Sequence, residues 1–146
     1  MRAHTRFLLL LLFTVIFLDT LTADSCNAQS SDQKLGDIPV LRQALADPEL
    51  EGYEMFSKIL KVPPAFTDTV SHRHDAELFG YVLQGSVKIK LKGRPAEVFS
   101  QGEMFYEPRN ILHTLLQNMD EERWSNILLV YIIKERRADY RKEYKP

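Results

Sequence analysis

The chain has 146 residues, 45% hydrophobic and 27% charged, with a formal net charge of −1 and a single cysteine. That length supports one domain with its own core and leaves no room for a second. The near-neutral balance excludes a nucleic-acid surface, and one cysteine cannot close an internal disulfide, so apolar packing must hold the domain together.

The opening segment carries Arg2 and Arg6 ahead of an apolar run from Phe7 to Leu18. The run is short for a bilayer span and has the length of a signal-peptide core, so residues 1–23 are expected to direct export, periplasmic or secreted. Cleavage after Ala23, Ser25 or Ala28 fits equally well. Cleavage after Ser25 would leave Cys26 first, within an imperfect lipobox, and Cys26 would then carry a lipid anchor. Residues 24–36 are polar and read as a flexible tether.

Asp37-Ile38-Pro39 begins the ordered part. PVLRQALADPELEG starts as a short strand or a helical turn, and Pro48 and Gly52 forbid a long helix. From Tyr53 onward the grammar is that of strands. YEMFSKILKV is rich in β formers and stops at Pro63-Pro64, and GSVKIKLKG alternates Val87, Ile89 and Leu91 against Lys88, Lys90 and Lys92, which face water. Lys92-Gly93-Arg94-Pro95 supplies a turn, AEVF returns as a strand, and Gln101-Gly102 turns into EMFYEP. ILHTLLQN and WSNILLVYIIKE form the last long strands, separated by MDEER. Short strands punctuated this often predict an all-β fold over residues 37–134, an antiparallel barrel or sandwich. Trp124 is expected to pack. Residues 135–146 are densely charged and read as a solvated helix or frayed end.

Apart from His4 in the leader, the histidines are His72, His74 and His113. His72 and His74 stand two apart in a β-rich run and share one face of a strand, so both imidazoles can reach one ion. Imidazole suits Fe, Mn, Ni or Zn, and the spacing does not choose among them. His113, from a distant segment, supplies a third ligand.

The two histidine segments read HRHDAELFGYVLQG and GEMFYEPRNILHTLLQN, and in both the chain resembles the cupin superfamily, small single-domain type. The landmarks Gly85, Gly102, Pro108, His113 and Asn118 follow in order. Asn110 replaces a family glycine, and Asn is the residue after Gly that most readily takes positive φ. Asn118 falls one position late. The resemblance implies an antiparallel, jelly-roll-like cupin β-barrel holding one divalent metal ion, with Leu78, Gly80 and Val82 turned inward with the histidines and Leu115 and Gln117 inward with His113. Any one of these histidines alone reads as a packed core residue; together they occupy the family's motif positions.

The resemblance also implies a carboxylate ligand at position 78, where this chain has Leu78. Glu77 stands next to it, and strand alternation turns it to the other face unless a bulge resets the register. Glu77 is thus a candidate fourth ligand, and Glu77 and Tyr106 are candidates for proton transfer. Phe79, Tyr81, Phe105 and Tyr106 read chiefly as barrel filling. The expected function is a mononuclear metal-dependent enzyme of dioxygenase-like type acting on a small organic substrate. The alternative is a non-catalytic sugar- or metabolite-binding cupin of the cell envelope. A homodimer is a further implication, since related small cupins pair through their sheets.

Overall fold

The computed structural model describes residues 34–143. The leader, its cleavage sites and Cys26 lie outside the described residues. The strands are β1 (Gly36–Ala44), β2 (Tyr53–Val62), β3 (Thr67–Asp68), β4 (His72–Arg73), β5 (Glu77–Gln84), β6 (Ser86–Leu91), β7 (Ala96–Ser100), β8 (Met104–Glu107), β9 (His113–Asn118), β10 (Ser125–Lys134) and β11 (Arg141–Lys142). One 3-10 turn, Pro48–Leu50, separates β1 from β2, so PVLRQALADPELEG contains both a strand and a helical turn.

Two antiparallel sheets form, as the strand grammar predicts: β1-β2-β10-β5-β8 and β11-β4-β9-β6-β7, with β3 also on β9. Period-two alternation fills the space between them. β10 turns Ser125, Ile127, Leu129, Tyr131 and Ile133 inward, β5 turns Leu78, Gly80 and Val82, and β6 turns Val87, Ile89 and Leu91. Burying each large apolar side chain contributes roughly 1.5–3 kcal/mol. Gly80 has a specific reason to lack a side chain. It pairs in register with Phe105 on β8, and a Cβ there would enter the Phe105 ring. Gly85 ends β5 at φ 78°, a left-handed conformation that glycine takes without strain.

Alternation also corrects the aromatic expectation. Phe105 is buried, but Phe79, Tyr81 and Tyr106 have the opposite parity and lie half-exposed on the outer face, with Phe79 and Tyr106 stacked at 5.1 Å. Trp124 is likewise half-exposed, its ring facing the Lys61 ammonium at 5.3 Å.

β9 departs from simple alternation in a way that matters for the site. Leu91 pairs with His113 and Lys90 with Leu115, so Thr114 is an extra residue, and its hydroxyl donates to the Lys90 carbonyl at 3.1 Å. This bulge resets the parity. The inward residues after His113 are therefore Leu116 and Asn118, not Leu115 and Gln117. The same insertion explains why Asn118 comes one position late yet points inward.

Asn118 then ties the loops at that end together. Its amide nitrogen lies 3.1, 2.9 and 2.9 Å from the carbonyls of Val62, Pro63 and Arg123, and its oxygen accepts from the Ser125 hydroxyl at 2.8 Å and the Asp120 amide at 3.0 Å.

The described part of the charged tail, through residue 143, is neither a helix nor frayed. β11 pairs with β4, matching Arg141 with Arg73 and Lys142 with His72. The Glu143 amide donates to the Ser71 carbonyl at 2.9 Å, and Arg73 Nε bonds Glu143 at 2.6 Å. Paired backbone groups and an opposite-charge partner outweigh the polarity that suggested solvation.

Candidate metal centre

Three separate stretches of chain build the site. β4 delivers His72, the irregular segment after it delivers His74, and β9 opens with His113, whose Cα is paired across the ladder with that of His72. That pairing sets the His72 and His113 rings 4.7 Å apart, nearly parallel, while His74 meets His72 edge-on at 5.0 Å. Asn110 shapes the approach to His113 at φ 61°, in the conformation expected of the residue replacing glycine.

One ligand atom from each of the three histidines lies within 4.8 Å of the others. Two of the rings are already oriented. His72 Nδ1 is bonded to the Val70 carbonyl at 2.9 Å and His74 Nδ1 to the Asp139 carbonyl, which fixes the tautomer and leaves Nε2 of each as the free donor. Burial pushes His72 down to about 4 and pushes His74 below the usual imidazole value, so both are neutral donors at physiological pH.

His113 is held differently. Its Nδ1 lies 3.1 Å from Glu107 Oε1 and 3.3 Å from Oε2, and its Nε2 is 2.6 Å from the Leu115 carbonyl. Burial works against its charged form. The Glu107 hydrogen bond and charge, with the Leu115 carbonyl, outweigh that, and His113 is raised. Burial likewise opposes ionisation of Glu107, but the His113 hydrogen bond and the neighbouring imidazoles hold it below the usual carboxylate range.

The histidines line a cavity of about 410 Å³ between the sheets. Its walls are mainly Leu60, Leu78, Ile89, Leu116, Ile127 and Leu129, the largely apolar lining that the inward parity predicts, and Tyr131 and Tyr140 complete them near the histidines. Tyr131 is buried, stacks on Phe56 at 4.4 Å and meets His74 at 5.6 Å. Burial pushes its phenol far up, so the hydroxyl stays protonated. Tyr140, from the tail, lies over His72 at 4.6 Å. The donor set fits a divalent ion: three converging imidazoles, two with tautomers set by backbone carbonyls, beside a buried carboxylate.

Glu77 and Tyr106 do not join this group. β5 runs in regular register from Glu77 to Val82, its one shift lying beyond at Leu83, so Leu78 faces the cavity while Glu77 points to the outer face, where it accepts from the Tyr106 hydroxyl and from the Arg109 amide at 3.2 Å. The residues that sequence reasoning missed are Glu107, Tyr131, Asp139 and Tyr140. For Glu107 a signal existed: in MFYE it shares the parity of Phe105, and an acid on the apolar face of a strand is out of place unless paired. For Asp139 there was none, since its backbone carbonyl makes the contact.

Comparison with known proteins agrees with this architecture. The family model for the cupin domain matches residues 58–131. No curated protein matches the chain. Among solved structures, a DMSP lyase from Ruegeria pomeroyi superposes with a TM-score of 0.57 at 13% identity, over 75% of this chain and 52% of that one. An uncharacterised double-stranded β-helix protein from Klebsiella pneumoniae does so at 0.57 and 13%, over 79% and 89%. Oxalate decarboxylase from Bacillus subtilis gives 0.51 and 20%, over 60% and 23%. The chain thus spans about half the length of the lyase, and at these identities the likeness is one of fold. Since the family model covers half of the chain and the two sheets enclose the histidines of both motifs, the protein belongs to the cupin family.

Proposed function

We propose that this cupin is exported, holds one divalent ion on His72, His74 and His113, and acts as a mononuclear metal-dependent enzyme of dioxygenase-like type on a small organic substrate. The observation that carries this reading is the convergence of the three imidazoles at a cavity of about 410 Å³, within the size range of small-molecule sites. When bound there, the ion would supply Lewis acidity toward a substrate oxygen and, if redox-active, electrons for O2. The chain's own residues do the rest. The Val70 and Asp139 carbonyls aim His72 and His74, the leucine and isoleucine walls exclude water, and the Tyr131 phenol offers a hydrogen bond to a substrate oxygen. Export rests on Arg2, Arg6 and the apolar run that follows them.

Metal analysis of protein purified without chelator tests the site, and His113→Ala is expected to abolish the bound ion. Oxygen uptake over flavonoid, diketone, thiol and uronate substrates tests the reaction. Because lyase and decarboxylase chemistry occurs in proteins of similar fold, elimination and decarboxylation are scored on the same panel. One observation favours a non-catalytic binder as second reading: Glu77 and Tyr106, the pair expected to transfer protons, lie outside the cavity. Metal bound with silence across the panel would select that reading. The mass of the mature N-terminus in fractionated cells decides export and lipidation at Cys26.

A further inference from the structure

Glu107 sits in the apolar interior with imidazoles as its ion-pair partners among the described residues. Its carboxylate is 3% exposed, and among the described residues its ion-pair contacts are with His74 and His113 alone. A carboxylate taken out of water is costly unless a cation compensates it. Here the nearest groups are imidazoles: His113, at 3.1 Å, offsets part of the charge, and His74, at 4.0 Å, is neutral.

The distances fit a shared ion. Two donors that each lie about 2.0–2.2 Å from one ion stand no more than about 4.4 Å apart. Glu107 Oε1 is 3.1 Å from His113 Nδ1, and Oε2 is 4.0 Å from His74 Nε2. The second contact is the informative one. His74 Nε2 is the nitrogen left free once the Asp139 carbonyl has taken Nδ1, so Glu107 lies on the metal-binding side of that ring.

The sheet explains how an acid from β8 arrives there. Leu78 on β5 and Glu107 on β8 are partners in register, and such inward-facing pairs have Cβ atoms about 4.5–5.5 Å apart. A carboxylate projecting from 107 therefore reaches the volume that one projecting from 78 would occupy. Leucine at 78 supplies no donor but leaves an apolar wall against which the Glu107 stem packs.

We propose that Glu107 is the fourth protein ligand of the ion, a carboxylate delivered by β8 in place of one on β5. The proposal rests on the three-histidine reading above. It gives the site three nitrogens and one anionic oxygen, a harder donor set than imidazole alone, suited to Mn or Fe as well as Zn. A positioning role, in which Glu107 only orients His113 through Nδ1, makes a different prediction.

The test is Co(II) titration of the metal-free full chain, followed by calorimetry and by the visible absorption bands of the ion, in wild type, Glu107→Gln and the exchange variant Leu78→Glu/Glu107→Leu. As a ligand, Glu107 gives a loss in Glu107→Gln larger than the roughly 10–100-fold typical of a supporting partner, together with altered bands. The exchange variant then binds within about tenfold of wild type, since the carboxylate returns from the paired position. A smaller loss with unchanged bands overturns the proposal and leaves His72, His74 and His113 as the site. Failure of the wild type to take up Co(II) overturns both readings at once. If Glu107→Gln does not fold, the exchange variant decides: tight binding with wild-type bands supports the proposal, and weak binding by a folded exchange variant overturns it.

Discussion

Truncation after Arg137 probes how far the tail belongs to the metal site. The cut removes the Asp139 carbonyl that fixes His74 Nδ1, the Ala138 carbonyl that accepts from the Asp75 amide at 3.2 Å, the Glu143 amide bonded to Ser71, and the Tyr140 ring over His72. It also removes the ladder between β11 and β4. Without its carbonyl partner His74 can rotate or change tautomer, and loss of such a partner typically lowers metal affinity about 10–100-fold, or about 1.4–2.8 kcal/mol. The two loop hydrogen bonds contribute roughly 1 kcal/mol each, and the half-exposed Arg73–Glu143 pair adds under about 1 kcal/mol, so folding stability falls by about 2–3 kcal/mol. Calorimetric metal titration and urea unfolding of the metal-free protein measure the two effects separately. Affinity within twofold of the intact chain, in a truncated protein that remains folded, would refute the claim that the tail orients His74.

Asn118→Ala leaves the carbonyls of Val62, Pro63 and Arg123 without their shared donor and is expected to cost about 2–4 kcal/mol in urea unfolding, while Asn126→Ala, at a more exposed pair with Gln84, changes stability by under about 1 kcal/mol. Tyr106→Phe removes only the outer-face bond to Glu77, so metal affinity is expected to match wild type; a tenfold loss would bring Glu77 and Tyr106 back to the site. For the metal-free protein, burial holds His72 at about 4 when folded against 6.5 in the unfolded chain, so the unfolded state binds more protons in that window. The contribution of His72 is complete above pH 6.5 and is lost as pH falls toward 4, and the depressed Glu107 acts in the same direction. His113, raised, acts oppositely, its contribution fading as pH rises through its folded value. Thermal midpoints measured from pH 7 to 4 should therefore fall, and His72→Gln should flatten the profile; an unchanged slope would show that His72 is not buried neutral.

The sequence by itself determined the all-β class, the alternation that builds the core and the histidine trio, because each depends on short-range periodicity or on residue chemistry that survives without coordinates. Alternation alone also predicted that Glu77 would face away unless a bulge intervened, and the register of β5 is regular from Glu77 to Val82. The tertiary structure decided what depends on pairing between distant strands. The bulge at Thr114 carries no local signature, yet it chooses Leu116 and Asn118 over Leu115 and Gln117 for the interior. Glu107 faces His113 and His74 only because β8 lies beside β5 in a particular register, and Asp139 orients His74 through a backbone carbonyl that every residue possesses. Residue identity limits which chemistry is available; the register of the sheets selects which of those residues meet.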